Sequence, residues 1–144
     1  MYKVMIVGHG FVGSAVASLF SDEEKLIVDP KFNNNTINEW PGCPFDAVFV
    51  SVDTPKAEGF KLLDSILSKL DYWMPARTPV CCKSTATPEF YYNAAKKYKN
   101  IRVLHSPEYL NKSNPIKMFQ EQKFFIIGGE RNAAMQVGHI FKSR

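Results

Sequence analysis

The segment Gly8-His9-Gly10-Phe11-Val12-Gly13 constrains this chain more than any other part of it. It follows an apolar run, Tyr2-Lys3-Val4-Met5-Ile6-Val7, that reads as a buried strand. It opens a stretch in which Val12, Ala15, Val16, Leu19 and Phe20 recur at helical spacing. Glycines so spaced between strand and helix have distinct physical roles. Gly8 permits the tight turn, Gly10 lets a pyrophosphate approach with no Cβ in the way, and Gly13 lets the helix pack close to the strand. The helix start offers N–H groups and a partial positive charge to the phosphates. Lys25-Leu26-Ile27-Val28 reads as a second strand closed by Asp29, which lies 21 residues after Gly8, near the expected spacing of about 20. A carboxylate there accepts hydrogen bonds from adenosine ribose hydroxyls and repels a 2′-phosphate, so the expected cofactor is NAD rather than NADP. Lys31, two residues on, is a cation placed to soften that repulsion.

Strand and helix signals alternate along the rest of the chain. Phe45 to Val50 reads as a third strand, set off by Pro41, Gly42 and Pro44, and a helix runs from about Gly59 to Met74 with Leu63, Ile66, Leu67 and Leu70 on one face. Val80 to Lys83 is a fourth strand. Thr87 is an N-cap followed by Pro88 and Glu89, opening a helix that continues to about Tyr98. Ile101 to His105 is a fifth strand, Pro115 to Phe119 a short helix, Lys123 to Ile127 a sixth strand, and a last helix runs from near Arg131 toward Phe141. This pattern predicts an α/β Rossmann fold: a doubly wound, six-stranded parallel sheet in the order 3-2-1-4-5-6, with helices on both faces. Ligands are then expected at the carboxyl ends of the strands, near the switch between strands 1 and 4.

At 144 residues the chain fits a single domain, residues 1–144. Three cysteines, two of them adjacent (Cys81 and Cys82), match neither a disulfide framework nor a metal-site spacing. Buried free thiols in a reducing, cytoplasmic compartment are expected, with no signal peptide and no membrane span. The net charge of +4 is scattered rather than clustered. That suits a small anionic ligand and argues against nucleic acid.

The expected strand ends carry three polar turns: Ser51-Val52-Asp53-Thr54-Pro55, Lys83-Ser84-Thr85-Ala86-Thr87-Pro88 and Ser106-Pro107-Glu108-Tyr109-Leu110. With GHGFVG, and with FFIIGGE after the sixth strand, they resemble the NAD-binding domain of the UDP-glucose/GDP-mannose 6-dehydrogenases over essentially the whole chain. These enzymes oxidise a sugar C6 alcohol to a carboxylate in two NAD-dependent steps and serve polysaccharide biosynthesis. The resemblance implies cofactor contacts from Gly8, Gly10, Phe11, Val12, Gly13, Asp29, Lys31, Val52, Thr54, Pro55 and Thr85. Thr54 would lie near the nicotinamide half, Thr85 would hold a water or hydroxyl close to the reacting carbon, and Glu108 would be the acid/base carboxylate. The residue chemistry agrees: alcohol oxidation needs a proton acceptor beside the hydride-donating carbon, and a hydroxyl can position water without ionising.

Two departures stand out. Lys112 occupies the place of the family's second glutamate. The family's dimer helix, its nucleotide-sugar domain and its catalytic cysteine have no counterpart up to Arg144, and Cys81 and Cys82 fall within a strand and cannot replace that thiol. The expectation is a cofactor domain that does not complete the reaction by itself. The alternative is a stand-alone NAD-binding module, without its own catalysis, that regulates or docks on a partner. The SPEYL and KSTATP turns argue against a hydroxyacid or phosphogluconate dehydrogenase. The apolar stripe Ala133, Ala134, Val137, Ile140 and Phe141 should pack mostly on the sheet. The surface near Phe119, Phe141 and the Glu108 loop is expected to be apolar and to support self-association or docking on a second polypeptide.

Overall fold

A computed structural model of the chain describes residues 1–108 and 113–144. Tyr109, Leu110 and Lys112 lie outside the described residues. Among the described residues five short strands are interspersed with helices: β1 (Val4–Val7), α1 (Phe11–Ala17), β2 (Lys25–Val28), β3 (Ala47–Val50), α2 (Lys61–Trp73), β4 (Pro79–Cys82), α3 (Pro88–Lys97), β5 (Arg102–His105), α4 (Pro115–Gln120) and α5 (Arg131–Lys142). All neighbouring strands pair in parallel, in the order β2-β1-β3-β4-β5. The helix starts follow from local chemistry. Thr87 Oγ1 accepts from the Phe90 N–H at 3.1 Å, ahead of Pro88. The Glu130 carboxylate accepts from the N–H groups of Asn132 and Ala133 at the head of α5.

The period of two sorts the strand residues into two layers. Met5, Val48, Val50, Val80, Cys82 and Val103 pack with α2 and α3, together with Ile37 from a 3₁₀ turn at Ile37–Glu39. Val4, Ile6, Ala47, Phe49, Cys81 and Leu104 pack with α1, α4 and α5. No helix among the described residues is long and apolar enough to cross a membrane.

The expected strand order needs correction in two places. The third strand pairs with β1 and not with β2, so the sheet turns at β1/β3. Burial explains why: every residue of β3 is buried, which suits an interior strand, whereas three of the four in β2 are half-buried, which suits an edge. Residues 29–46 carry only the 3₁₀ turn between those strands. The expected sixth strand, Lys123 to Ile127, forms no ladder among the described residues. The chain meets β5 at one antiparallel bridge, His105 with Gly128. Alternation survives there without pairing, with Phe125 and Ile127 packed inward and Phe124 and Ile126 exposed.

Phe119 and Phe141, expected near an apolar surface, do not themselves form one. Both are buried, at 1% and 5% exposure. Their rings join Phe125 in one cluster, with Phe125 stacked on Phe141 at 4.3 Å. The aromatic faces pack on one another, while Ile116 of α4 and Phe124 and Ile126, which flank Phe125, are exposed.

Arg144 ties the end of α5 to the start of β2. Its guanidinium donates to both oxygens of Glu24 at 2.7 and 3.1 Å. Glu24 also accepts from the N–H groups of Ser21 and Tyr2. Arg144, then the Ser21 N–H, lower the Glu24 carboxyl from 4.5 to about 2, against an opposing effect of desolvation. A depressed carboxylate contributes stability above its unfolded value and loses it as pH falls through the folded value. Thermal melts of the native chain and Arg144→Ala should therefore differ at pH 6 to 7. The difference should shrink between about pH 4.5 and about pH 2. A gap independent of pH would refute this origin.

Candidate cofactor site

The carboxyl ends of the strands bring the glycine loop and the polar turns to one edge. Gly8 sits at φ +94°, and a Cβ built there would lie 2.2 Å from Ser51 O. A Cβ on Gly13 would lie 1.9 Å from Gly8 O. Both are approaches to backbone, so neither position has room for a side chain. Gly10 differs: a Cβ there would meet nothing within 4 Å. Its backbone faces open space, the cradle that a pyrophosphate needs.

Asp29 stands beside that loop. One carboxylate oxygen accepts from the His9 N–H at 2.7 Å and the other from the Lys31 N–H at 2.8 Å. The His9 N–H is the largest cause that holds the Asp29 carboxyl below its ordinary value, with Lys31 adding to it and burial opposing. The residue expected to receive ribose hydroxyls thus also braces the loop. The His9 ring leans on Phe32, centroids 4.2 Å apart.

A cleft of about 660 Å³ opens here. Of the residues given a cofactor role in the sequence, Gly8, Gly10, Asp29, Lys31 and Val52 line it. Its apolar wall was not anticipated: Ile37 from the 3₁₀ turn, with Leu62, Ile66 and Trp73 from α2. Ile66 belongs to the apolar face that sequence reading gave α2, whereas Leu62 and Trp73 lie beside that face.

The other expected residues lie around the cleft without lining it. Phe11, Val12 and Gly13 begin α1, and Val12 packs against the layer formed with α1, α4 and α5. Thr54 and Pro55 follow β3, and Thr85 is exposed beyond β4. The turns are tied together. The Val52 N–H donates to Ser84 Oγ at 2.9 Å, and Thr54 Oγ1 donates to Thr85 O at 2.6 Å. Ser84 O in turn accepts from the buried Tyr91 hydroxyl.

Glu108 follows β5, and its carboxylate is turned inward. Its Oε2 lies 3.2 Å from Lys83 Nζ, with the two side chains 8% and 0% exposed. Lys83 is a buried partner that sequence reasoning missed. A charged residue closing the apolar run Val80-Cys81-Cys82 was the available signal. His105 stacks on Tyr91 at 4.2 Å, and burial, then Lys83, hold its imidazole below the usual range. Burial pushes the Cys81 thiol up to about 12 and raises Cys82 as well, so neither offers a thiolate.

No protein-family model and no curated protein sequence matches the chain. Solved structures do. The UDP-glucose dehydrogenase of Pyrobaculum islandicum superposes with a TM-score of 0.81 at 17% identity, over 99% of this chain and 44% of that one. This chain has the fold of one part of that solved enzyme. The UDP-D-ManNAc dehydrogenase of Pyrococcus horikoshii gives 0.78 at 15% identity, and a ternary complex of GDP-mannose dehydrogenase from Pseudomonas aeruginosa gives 0.75 at 17%. Each covers 98% of this chain and 44% of its own. The chain spans less than half the length of these matches.

The glycines make a paired prediction. Gly13→Ala forces Cβ onto backbone and should cost about 1–3 kcal/mol in denaturant unfolding. Gly10→Ala should change stability by less than about 1 kcal/mol, because its Cβ enters empty space. Any dinucleotide binding should nevertheless fall. Equal destabilisation by the two substitutions would overturn this assignment of the loop.

Proposed function

We propose that this chain is the NAD-binding part of a nucleotide-sugar 6-dehydrogenase that oxidises the sugar C6 alcohol of a substrate such as UDP-glucose. The cleft beside Gly10, bounded by Asp29, carries the reading, and the fold shared with nucleotide-sugar dehydrogenases supports it. Gly10 leaves space for the pyrophosphate, and Asp29 receives the ribose hydroxyls while keeping its hold on the His9 N–H. Leu62, Ile66 and Trp73 offer the apolar surface that a purine needs. The bound cofactor supplies the hydride acceptor. Val52, Thr54 and Pro55 orient its nicotinamide half, Thr85 holds a water near the reacting carbon, and Glu108 receives the alcohol proton.

The alternative is a dinucleotide-binding module without its own catalysis, docking on a partner. Glu108 stands outside the residues that line the cleft, which favours it.

Calorimetry tests the shared premise. NAD should bind more tightly than NADP, and Asp29→Ala should weaken NAD about tenfold or more, the value of a charged hydrogen bond of roughly 1.5–3 kcal/mol. Discrimination against NADP should narrow in the same variant. Equal affinity of the native chain for both cofactors would remove the role of Asp29. NADH formation with UDP-glucose that is abolished by Glu108→Gln separates the enzyme from the module.

A further inference from the structure

The end of β4 contains a fully buried ammonium that the proposed chemistry does not use. The Lys83 side chain is 0% exposed. Its Nζ lies 3.2 Å from Glu108 Oε2 and donates to Ser106 Oγ at 3.1 Å. The rings of Phe119, Phe125 and Phe141 surround it, with centroids 5.2, 5.5 and 5.6 Å away. A buried cation is tolerated only with a counter-charge and hydrogen-bond partners, and aromatic faces add to the attraction. The Lys83 backbone runs directly into Ser84 and Thr85, while its side chain grips Ser106 and Glu108 from the turn after β5. One residue therefore joins the two turns to which the reaction is assigned. It does so from the layer of α1, α4 and α5, whereas the apolar wall of the cleft comes from α2.

We propose that Lys83 is the positioning residue of this site, setting where the Glu108 carboxylate stands relative to Thr85 and the nicotinamide half of the cofactor. The inference rests on the NAD-binding reading given above. It makes a specific demand. Loss of Lys83 should disturb the nicotinamide half of the site and spare the adenosine half, because the lysine does not line the cleft.

ADP-ribose and NAD separate the halves, since the first lacks the nicotinamide. In Lys83→Met, calorimetry should show ADP-ribose affinity within about twofold of native and NAD affinity reduced about tenfold, as expected for a misplaced charged hydrogen-bonding group. Lys83→Arg, which keeps the cation, should recover part of the loss. Lys83→Met leaves a buried carboxylate without its cation and is expected to lower the melting temperature. The double variant Lys83→Met/Glu108→Gln removes both charges and should fold while keeping the same split between ligands. A parallel fall in both affinities would assign Lys83 to folding alone, and unchanged NAD affinity would deny it any role in the site; either overturns the proposal. If the native chain binds neither ligand, the NAD reading fails first. The position of Glu108 is then read from its carboxyl carbon resonance in glutamate-labelled protein, assigned with Glu108→Gln. A Glu108 resonance identical in the native chain and in Lys83→Met would overturn the positioning role independently of any cofactor.

Discussion

The architecture rests on a contact between backbones. Helix α1 passes over β1 with the Gly13 Cα directed at the Gly8 carbonyl, and Gly8 in turn lies against the Ser51 carbonyl at the end of β3. A methyl group at either place would need the space that a carbonyl already fills. This stack draws the first turn of α1, the end of β1 and the end of β3 together. It sits where one crossover leaves β1 for β2 and the next arrives at β3 on the other side. Chains that diverge at such a point leave a crevice between them, and in open parallel sheets ligands bind there. The tight packing and the cleft are thus consequences of the same two glycines.

Around this stack, each turn at the sheet edge is held by its neighbour. Asp29 holds the glycine loop through His9, Ser84 holds the turn after β3 through Val52, Thr54 reaches the Thr85 carbonyl, and Lys83 holds the turn after β5. These bonds join residues distant in sequence and fix groups that would otherwise be mobile loop positions. Fixed geometry lets a site bind without ordering itself first, which lowers the entropic cost of binding.

Much of this was legible in the sequence, for reasons that differ from residue to residue. The glycine loop was clear because its spacing has one steric solution between a strand and a helix. Thr87-Pro88 marked a helix start because cap and ring both act locally. The strand order was not legible, because pairing of β3 with β1 depends on burial of both faces of β3, which an apolar run alone does not rank against other runs. The segment 123–127 has the alternation of a strand and forms no ladder among the described residues; alternation reports sidedness and says nothing of hydrogen bonding. Lys83 was missed because a lysine in a polar turn resembles a solvated one until its counter-charge, 25 residues later in the chain, is seen beside it.

The adjacent thiols of β4 offer a final consequence. Successive strand side chains point to opposite faces, so Cys81 lies in the layer of α1, α4 and α5 while Cys82 lies in the layer of α2 and α3. Neighbours in sequence, they are separated by the sheet itself and are poorly placed to oxidise to one another. Each is a reporter of its own layer: alkylation of Cys81 records departure of one set of helices, and alkylation of Cys82 records departure of the other. The half-buried Cys43 serves as the internal reference. If the two layers open together, a single rate will describe both thiols; if one peels away first, the order will be written in their labelling.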